Sequence, residues 1–314
     1  MLDKLFEKLK QLQDVFYKNG ISDIYTNSKI FEILLAEQFQ HKIVNGHANS
    51  LDAMDNEGNY YEYKHYKLSS SNHTWTFNDF TDRTINNLCN VKTIFFVVID
   101  DANIVPQINK IYAISGADMA QYLEEKTRGI KNKRKMINIS EHQIITNLYY
   151  ELIEPEVTYC SDLLSSVFDT VHKIEKITGI NGILTSNKLW ELLVARELKH
   201  SINPEQKKHD AIDDKGKTYE YKVSIKNIWT FQDISDNVLE NYLMDEGIVL
   251  ACVDKTNFCI KSVYICNPEA LVLIIKNKRD FRLSSPREIR RLSETIGMTD
   301  VKKMIDNGDA KWVL

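Results

Sequence analysis

One fourteen-residue pattern occurs twice and limits what this chain can fold into. The stretch Leu51-Asp52-Ala53-Met54-Asp55-Asn56-Glu57-Gly58-Asn59-Tyr60-Tyr61-Glu62-Tyr63-Lys64 returns as His209-Asp210-Ala211-Ile212-Asp213-Asp214-Lys215-Gly216-Lys217-Thr218-Tyr219-Glu220-Tyr221-Lys222, with Asp, Gly, Glu, Tyr and Lys at matching offsets. The segment around Gly58 reads as a tight turn between two extended runs, the glycine supplying the positive φ that such a turn needs. Folding the chain back on itself about Glu57, one residue before Gly58, sets Asp52 opposite Glu62. The same operation around Lys215, one residue before Gly216, sets Asp210 opposite Glu220. Side chains alternate along a strand, so Glu62 and Lys64 share one face while Tyr61 and Tyr63 point to the other. Each hairpin thus gathers two carboxylates and an ammonium into one patch.

Converging carboxylates that leave room for water suit a hard divalent cation, and a neighbouring lysine orients a nucleophilic water or offsets phosphate charge. A single E-x-K on a hairpin is usually just a surface ion pair. Here the two copies have diverged widely elsewhere, yet both keep Asp, Glu and Lys.

With 314 residues, the chain has room for two domains of about 150 residues each. The duplication places them at 1–155 and 156–314. A net charge of -4 argues against a generic polycation that coats nucleic acid, while leaving room for a local basic surface beside acidic catalytic groups. The five cysteines form no C-x-x-C pair, which fits reduced thiols in a cytoplasmic protein rather than a disulfide or zinc framework. The amino terminus lacks the order of a signal peptide. Apolar runs such as Ile94 to Ile99 and Leu271 to Ile275 are far shorter than the ~20 residues of a membrane helix, and read as buried strands or core helix segments.

In chain order, Leu2, Leu5, Phe6, Leu9, Leu12, Val15 and Phe16 recur at helical spacing, and a counterpart helix runs from about Asp162 to Ile177. Gly20 and Gly179 are placed to terminate them. A second helix follows in each copy, capped in the first by Asn27 or Ser28, with Ile30, Phe31, Leu34, Leu35 and Phe39 answered by Leu189, Trp190, Leu193, Val194 and Leu198. Thr26, Lys29, Glu32 and His41 recur as Thr185, Lys188, Glu191 and His200. Glu32 and Glu191 lie beside the apolar stripe, where each can reach a neighbouring site. After the hairpins, Trp75 and Phe77 match Trp229 and Phe231 as packing aromatics, with polar residues between them that can meet DNA; apolar strands then run over Thr93 to Ile99 and Ile248 to Val253. Helix, strands, helix and strands alternate in each half, which is an α/β pattern.

An acidic residue on an early helix, then Asp, then about ten residues to Glu-x-Lys, resembles the PD-(D/E)XK nuclease superfamily, and its type II restriction endonucleases in particular. The match covers the core of each half. The proline that usually precedes the aspartate is replaced by Leu51 and His209. The resemblance implies two tandem restriction-endonuclease-like domains, each a mixed central sheet flanked by helices, related by pseudo-twofold symmetry. It further implies that Asp52 and Glu62 hold magnesium, with manganese able to substitute, that Lys64 positions water, and that Glu32 supports the site. Asp210, Glu220, Lys222 and Glu191 take these roles in the second copy.

Basic runs close each copy. Lys131, Lys133 and Arg134 precede Ser140-Glu141-His142-Gln143, and Lys278, Arg279 and Arg282 precede Ser285-Pro286-Arg287-Glu288; both four-residue groups fit a helix capping box. These six cations are candidates for phosphate contact. The function expected is a magnesium-dependent, sequence-specific DNA endonuclease: a monomer imitating a homodimer on double-stranded DNA. Each site would cut one strand, leaving 5'-phosphate and 3'-hydroxyl ends. The alternatives are a structure-specific repair or recombination nuclease, and a non-catalytic DNA-binding protein on a nuclease fold. The last gives no reason to keep two acidic sets that repel phosphate.

Overall fold

The apolar periodicity of the first residues becomes helix α1 (Leu2–Lys18), and Gly20 beyond it has φ +79°. The computed structural model describes residues 1–26, 28–44, 51–130, 135–204, 209–284 and 292–314. Next come α2 (Lys29–Phe39), β1 (Lys42–Ile43), β2 (Ala53–Met54), β3 (Tyr60–Lys67), β4 (Thr74–Phe80), α3 (Asp82–Asn87), β5 (Val91–Asp100), β6 (Gln107–Ser115), α4 (Gly116–Thr127), β7 (Lys135–Ser140), α5 (Glu141–Asn147) and β8 (Glu151–Ile153). The order then repeats with α6 (Asp162–Thr178), α7 (Lys188–Leu198), β9 (Ser201–Ile202), β10 (Ala211–Ile212), β11 (Thr218–Ser224), β12 (Ile228–Gln232), α8 (Asp236–Tyr242), β13 (Gly247–Asp254), β14 (Cys259–Cys266), α9 (Pro268–Leu283), β15 (Ser293–Gly297), α10 (Met298–Asp306) and β16 (Ala310–Trp312).

These elements form two units, one of Gln11–Ile24 and Ser28–His172, the other of Met1–Lys10, Tyr25–Asn27 and Lys173–Leu314. The first holds a sheet of order β1-β2-β3-β5-β6-β8, in which only β3 and β5 run parallel. The second holds β9-β10-β11-β13-β14-β16, in which only β11 and β13 run parallel. Each sheet is therefore mixed and accompanied by helices, and the fold is α/β. A separate two-stranded ribbon stands in each unit, β4 with β7 and β12 with β15.

Burial explains why β5 and β13 are nearly unbroken apolar runs. Ile94 to Ile99 and Ile248 to Val253 are all buried, as strands covered on both faces must be. Trp75, Phe77, Phe96, Tyr112 and Leu123 build one core, and Trp229, Phe231, Leu250, Leu271 and Ile275 the other. The tryptophans are tied down alike, Trp75 Nε1 donating to the Val97 carbonyl at 2.9 Å and Trp229 Nε1 to that of Ala251 at 2.8 Å. In the second unit Phe6 packs 6.4 Å from Phe258, and the Tyr25 hydroxyl donates to the Leu9 carbonyl.

Two expectations change. Ser28 stands at the N-cap of α2, but its φ is +63° and its side chain makes no capping hydrogen bond; Asn27 lies outside the described residues. The basic run Lys276–Arg282 forms the C-terminal half of α9. The Ser140 cap is present as expected, with Gln143 N–H donating to Ser140 Oγ and Ser140 N–H to Gln143 Oε1. Its counterpart is not Ser285, which lies outside the described residues. Strand register pairs Thr74 with Ser140 and Ile228 with Gly297, so Gly297 is the matching position, and its N–H donates to Asp300 Oδ2 at 3.0 Å. The repeat thus runs on through α10 and β16, which show no distinctive pattern in the sequence.

Gly116 opens α4 where a Cβ would lie 2.2 Å from the carbonyl oxygens of both Leu88 and Val91. Gly116→Ala should therefore destabilise the protein by about 3 kcal/mol, since backbone has to move to admit the methyl. Gly58→Ala meets nothing within 4 Å and bears only the strain of φ +86°, so it should cost about 1 kcal/mol. Urea unfolding of the two variants compares them directly; equal midpoints would rule out the steric account.

Candidate active site

The hairpin register is the one that arithmetic on the sequence requires. Ala53 pairs with Tyr61 and Met54 with Tyr60, and Ala211 pairs with Tyr219 and Ile212 with Thr218, which sets Asp52 against Glu62 and Asp210 against Glu220. Gly58 and Gly216 take φ +86° and +79° in the turns. The aspartates are locked to the neighbouring strand through their side chains. Asp52 Oδ2 accepts the Tyr63 backbone N–H at 2.8 Å, and Asp210 Oδ2 accepts that of Tyr221 at 2.8 Å.

On the opposite face of β3 from Tyr61 and Tyr63, Glu62 is 3% exposed and forms an ion pair with Lys64. Lys222 and Glu220 repeat that pair on β11. Aromatic rings confine the ammonium groups. Lys64 Nζ lies 5.3 Å from the centroid of Phe77, and Lys222 Nζ lies 5.7 Å from Phe231 and 5.5 Å from Tyr242. Glu32, in the first turn of α2, pairs with Lys29.

Burial pushes the Glu62 carboxyl up to about 7, with Lys64 opposing the rise and Asp52 and Glu32 adding to it. Burial and then Asp52 raise Glu32 to about 7, against Lys29 and Lys64. Glu191 is raised to about 7 by burial, then by Asp210. Glu220 reaches about 7 by burial, with Lys222 opposing and Asp210 and Asp245 adding to the rise. Burial works against the ammonium of Lys64, but Glu62 and Asp52 outweigh it and leave its pKa raised. All four expected members of each set therefore act on one another electrostatically, and each set lies within one unit.

Such an arrangement is short of positive charge. Glu62 Oε2 is buried with no hydrogen-bond partner, although each buried carboxylate oxygen ordinarily has one. A divalent cation between Asp52 and Glu62 would satisfy that oxygen and relieve the repulsion that raises Glu62, so the donor set fits a hard metal. Among the described residues no three His, Cys, Asp or Glu side chains form a ready-made metal cluster. Magnesium does not need one, because it keeps several waters and uses one or two carboxylates.

Residues 1–147 match the family model of restriction endonuclease PvuII. The similarity supports a type II restriction-endonuclease-like, PD-(D/E)XK fold for this segment. No curated protein gives a significant match to the chain. The match runs from α1 to α5, covers every strand of the first sheet but β8, and so contains Glu32, Asp52, Glu62 and Lys64. The second sheet lies beyond it and carries the same strand order and hairpin.

The restriction-endonuclease-like segment and its repeat each hold a histidine that the sequence aligns across the copies without indicating its role. His41 Nδ1 is 2.8 Å from the Tyr63 hydroxyl with its ring 4.0 Å from Tyr61, and His200 Nδ1 is 2.8 Å from the Tyr221 hydroxyl with its ring 4.3 Å from Tyr219. The signal was the coincidence of His with the paired tyrosines in both copies. The basic residues behave differently from one another. Lys131, Lys133 and Arg134 lie outside the described residues. Arg279 is buried, its guanidinium donating to Asp236, Asp280 and the Ile234 carbonyl, and it ties α9 to the start of α8. Lys278 pairs with Asp300 at 2.6 Å and Arg282 with Glu294 at 2.8 Å, while both side chains keep about a third or more of their surface in solvent (34% and 44%).

The raised glutamates fix the pH behaviour of the metal-free protein. Glu32, Glu62, Glu191 and Glu220 titrate near 7 when folded and near the ordinary glutamate value of 4.5 when unfolded. Between those values the folded chain holds protons that the unfolded chain has released, so stability falls as pH rises through that window. Melting temperature should drop from about pH 5 to about pH 8 in chelator. Added magnesium should restore it at the higher pH and do little at the lower, because the cation competes with those protons. A melting temperature that is flat with pH, or equally raised by magnesium throughout, would contradict this.

Proposed function

We propose that the protein is a magnesium-dependent, sequence-specific endonuclease of double-stranded DNA that acts as a single-chain counterpart of a homodimer. The observation that carries the reading is the duplicated Asp and Glu-x-Lys set on a fixed hairpin register, in a chain whose first half matches a restriction endonuclease family. Residues 1–155 and 156–314 are read as the duplicated nuclease domains, each addressing one strand across a pseudo-twofold axis.

Asp52 with Glu62, and Asp210 with Glu220, would hold the cation; manganese should serve as well as magnesium. When bound, the divalent ion polarises the phosphate and lowers the pKa of water. Lys64 would donate a hydrogen bond that orients the attacking water, and Lys222 would do so in the second site. Water oxygen bonds to phosphorus as the bond to the 3'-oxygen breaks, the water's proton passing to solvent and the 3'-oxygen taking one up, which leaves 5'-phosphate and 3'-hydroxyl ends. Glu32 and Glu191 add negative charge beside the aspartates and help retain the cation. Lys131, Lys133, Arg134, Lys278 and Arg282 are read as phosphate contacts; Arg279 is engaged within the fold. Among the described residues no helix is long and apolar enough to cross a membrane.

Cutting should stop in excess chelator. Lys64→Ala should leave a protein that nicks one strand, Lys222→Ala one that nicks the other, and the double variant should bind without cutting. Supercoiled plasmid scored for open-circle and linear product, with end-labelled duplex to identify the strand, distinguishes them. If one single variant linearises DNA at the wild-type rate while the other is inert on both strands, only one site is catalytic. Neutralising Lys278 and Arg282 together should lower the salt dependence of binding by about 0.9 for each phosphate that is no longer neutralised. An unchanged slope would leave both as ordinary intramolecular ion-pair residues.

A further inference from the structure

The two ribbons share their buried face and differ on their exposed one. Trp75 and Phe77 on β4 and Ile139 on β7 lie in the core of the first unit, and Trp229, Phe231 and Ile296 hold the same places in the second. The residues that alternate with them are partly or fully exposed. On β4 these are Thr74, Thr76 and Asn78, where β12 carries Ile228, Thr230 and Gln232. Across the ribbon, Thr76 pairs with Asn138 and Thr230 with Thr295, so Asn138 and Met136 on β7 answer Thr295 and Ser293 on β15. Of these five pairs of positions only Thr76 and Thr230 agree.

Each ribbon is attached to a candidate site. The rings of Phe77 and Phe231 lie 5.3 and 5.7 Å from the ammonium groups of Lys64 and Lys222, and the exposed residues are the chain neighbours of those rings. Cations flank the second ribbon, where Lys278 donates to the Thr295 carbonyl at 2.9 Å and Arg282 to that of Ser293 at 2.7 Å. This is the charge that a phosphate backbone lying along β15 would need. A two-stranded ribbon fits the major groove of a duplex, where every base pair shows its own set of donors, acceptors and methyl groups. The two faces offer different partners to that set. Asn138 Oδ1 accepts from Thr76 Oγ1 at 2.8 Å, which leaves the Asn138 amide hydrogens to donate, whereas Thr295 offers a hydroxyl and a methyl. Ile228, 53% exposed, puts an apolar group suited to a thymine methyl where the first ribbon has Thr74.

We propose that the exposed ribbon faces read bases in the major groove and that, because they differ, the sequence this protein cleaves is not its own reverse complement. Thr74, Asn78, Met136 and Asn138 select one half of the site. Ile228, Gln232, Ser293 and Thr295 select the other. The inference rests on reading the chain as a sequence-specific endonuclease of double-stranded DNA. Identical subunits present one face twice and so call for a palindrome, whereas a single chain with two unlike faces has no such constraint.

A random-sequence duplex library, cut by the full chain with magnesium and sequenced at both ends of every product, reads the preference directly. The wild type should give one consensus that differs from its reverse complement. Asn138→Ala should lower discrimination by about tenfold or more at a base pair of one half-site and leave the other half unchanged. Ile228→Thr, Gln232→Asn, Ser293→Met and Thr295→Asn together install the first face on the second ribbon, and should turn the consensus into a self-complementary one. If that combination does not fold, Thr295→Asn alone should alter the preference in the second half-site only. A wild-type consensus equal to its own reverse complement overturns the proposal, as does a consensus that neither Asn138→Ala nor Thr295→Asn moves. Cutting without sequence preference, or no cutting with either magnesium or manganese, is a different outcome, because the endonuclease reading then fails and takes the proposal with it.

Discussion

The hydrogen bond from the Tyr63 backbone N–H to Asp52 Oδ2 is the contact on which the rest of the site depends, and Tyr221 gives the same bond to Asp210. It takes an aspartate from just before a two-residue strand and fixes it against the strand that bears Glu62 and Lys64. Only one oxygen of each aspartate is used in this bond. The register then has no freedom to slip, because a shift of one residue would turn Glu62 and Lys64 to the tyrosine face. The histidine pairs strengthen the same lock from the other side, since His41 and His200 hold the hydroxyls of Tyr63 and Tyr221.

A locked, buried set of like charges is in tension with folding. Glu32 and Glu62 rise to about 7 because burial disfavours their ionised forms, and Lys64 and Lys29 compensate only in part. Lys64 thus offsets only part of the cost of burying Glu62. That gives a physical link between stability and chemistry: the groups that make the metal-free protein pH-sensitive are those that would receive the cation. Aromatic rings lie beside the ammonium groups of both Lys64 and Lys222 and help to hold them in place.

The arrangement recurs in the second unit without the two units being identical. Both sheets have the same strand order, both tryptophans donate to the central strand, and both ribbons close the repeat. Caps and peripheral charges have drifted more freely, as the replacement of Ser140 by Gly297 shows.

The sequence alone determined the first two helices of each copy, the turn glycines, the pairing of Asp with Glu across the hairpin and the side of the strand on which Lys64 stands. These follow from local periodicity and from the two-residue repeat of a strand, which need no knowledge of the rest of the chain. It also pointed to Trp75 and Trp229 as packing residues. Tertiary structure alone decided that Lys276–Arg282 is helical and that Arg279 is buried, since the partners Asp236 and Glu294 come from distant segments. It decided that Gly297, not Ser285, answers Ser140, because strand register and not local motif sets that correspondence. And it brought the charge of Asp245 to bear on Glu220, which lies 25 residues earlier in the chain, by pairing β11 with β13 side by side.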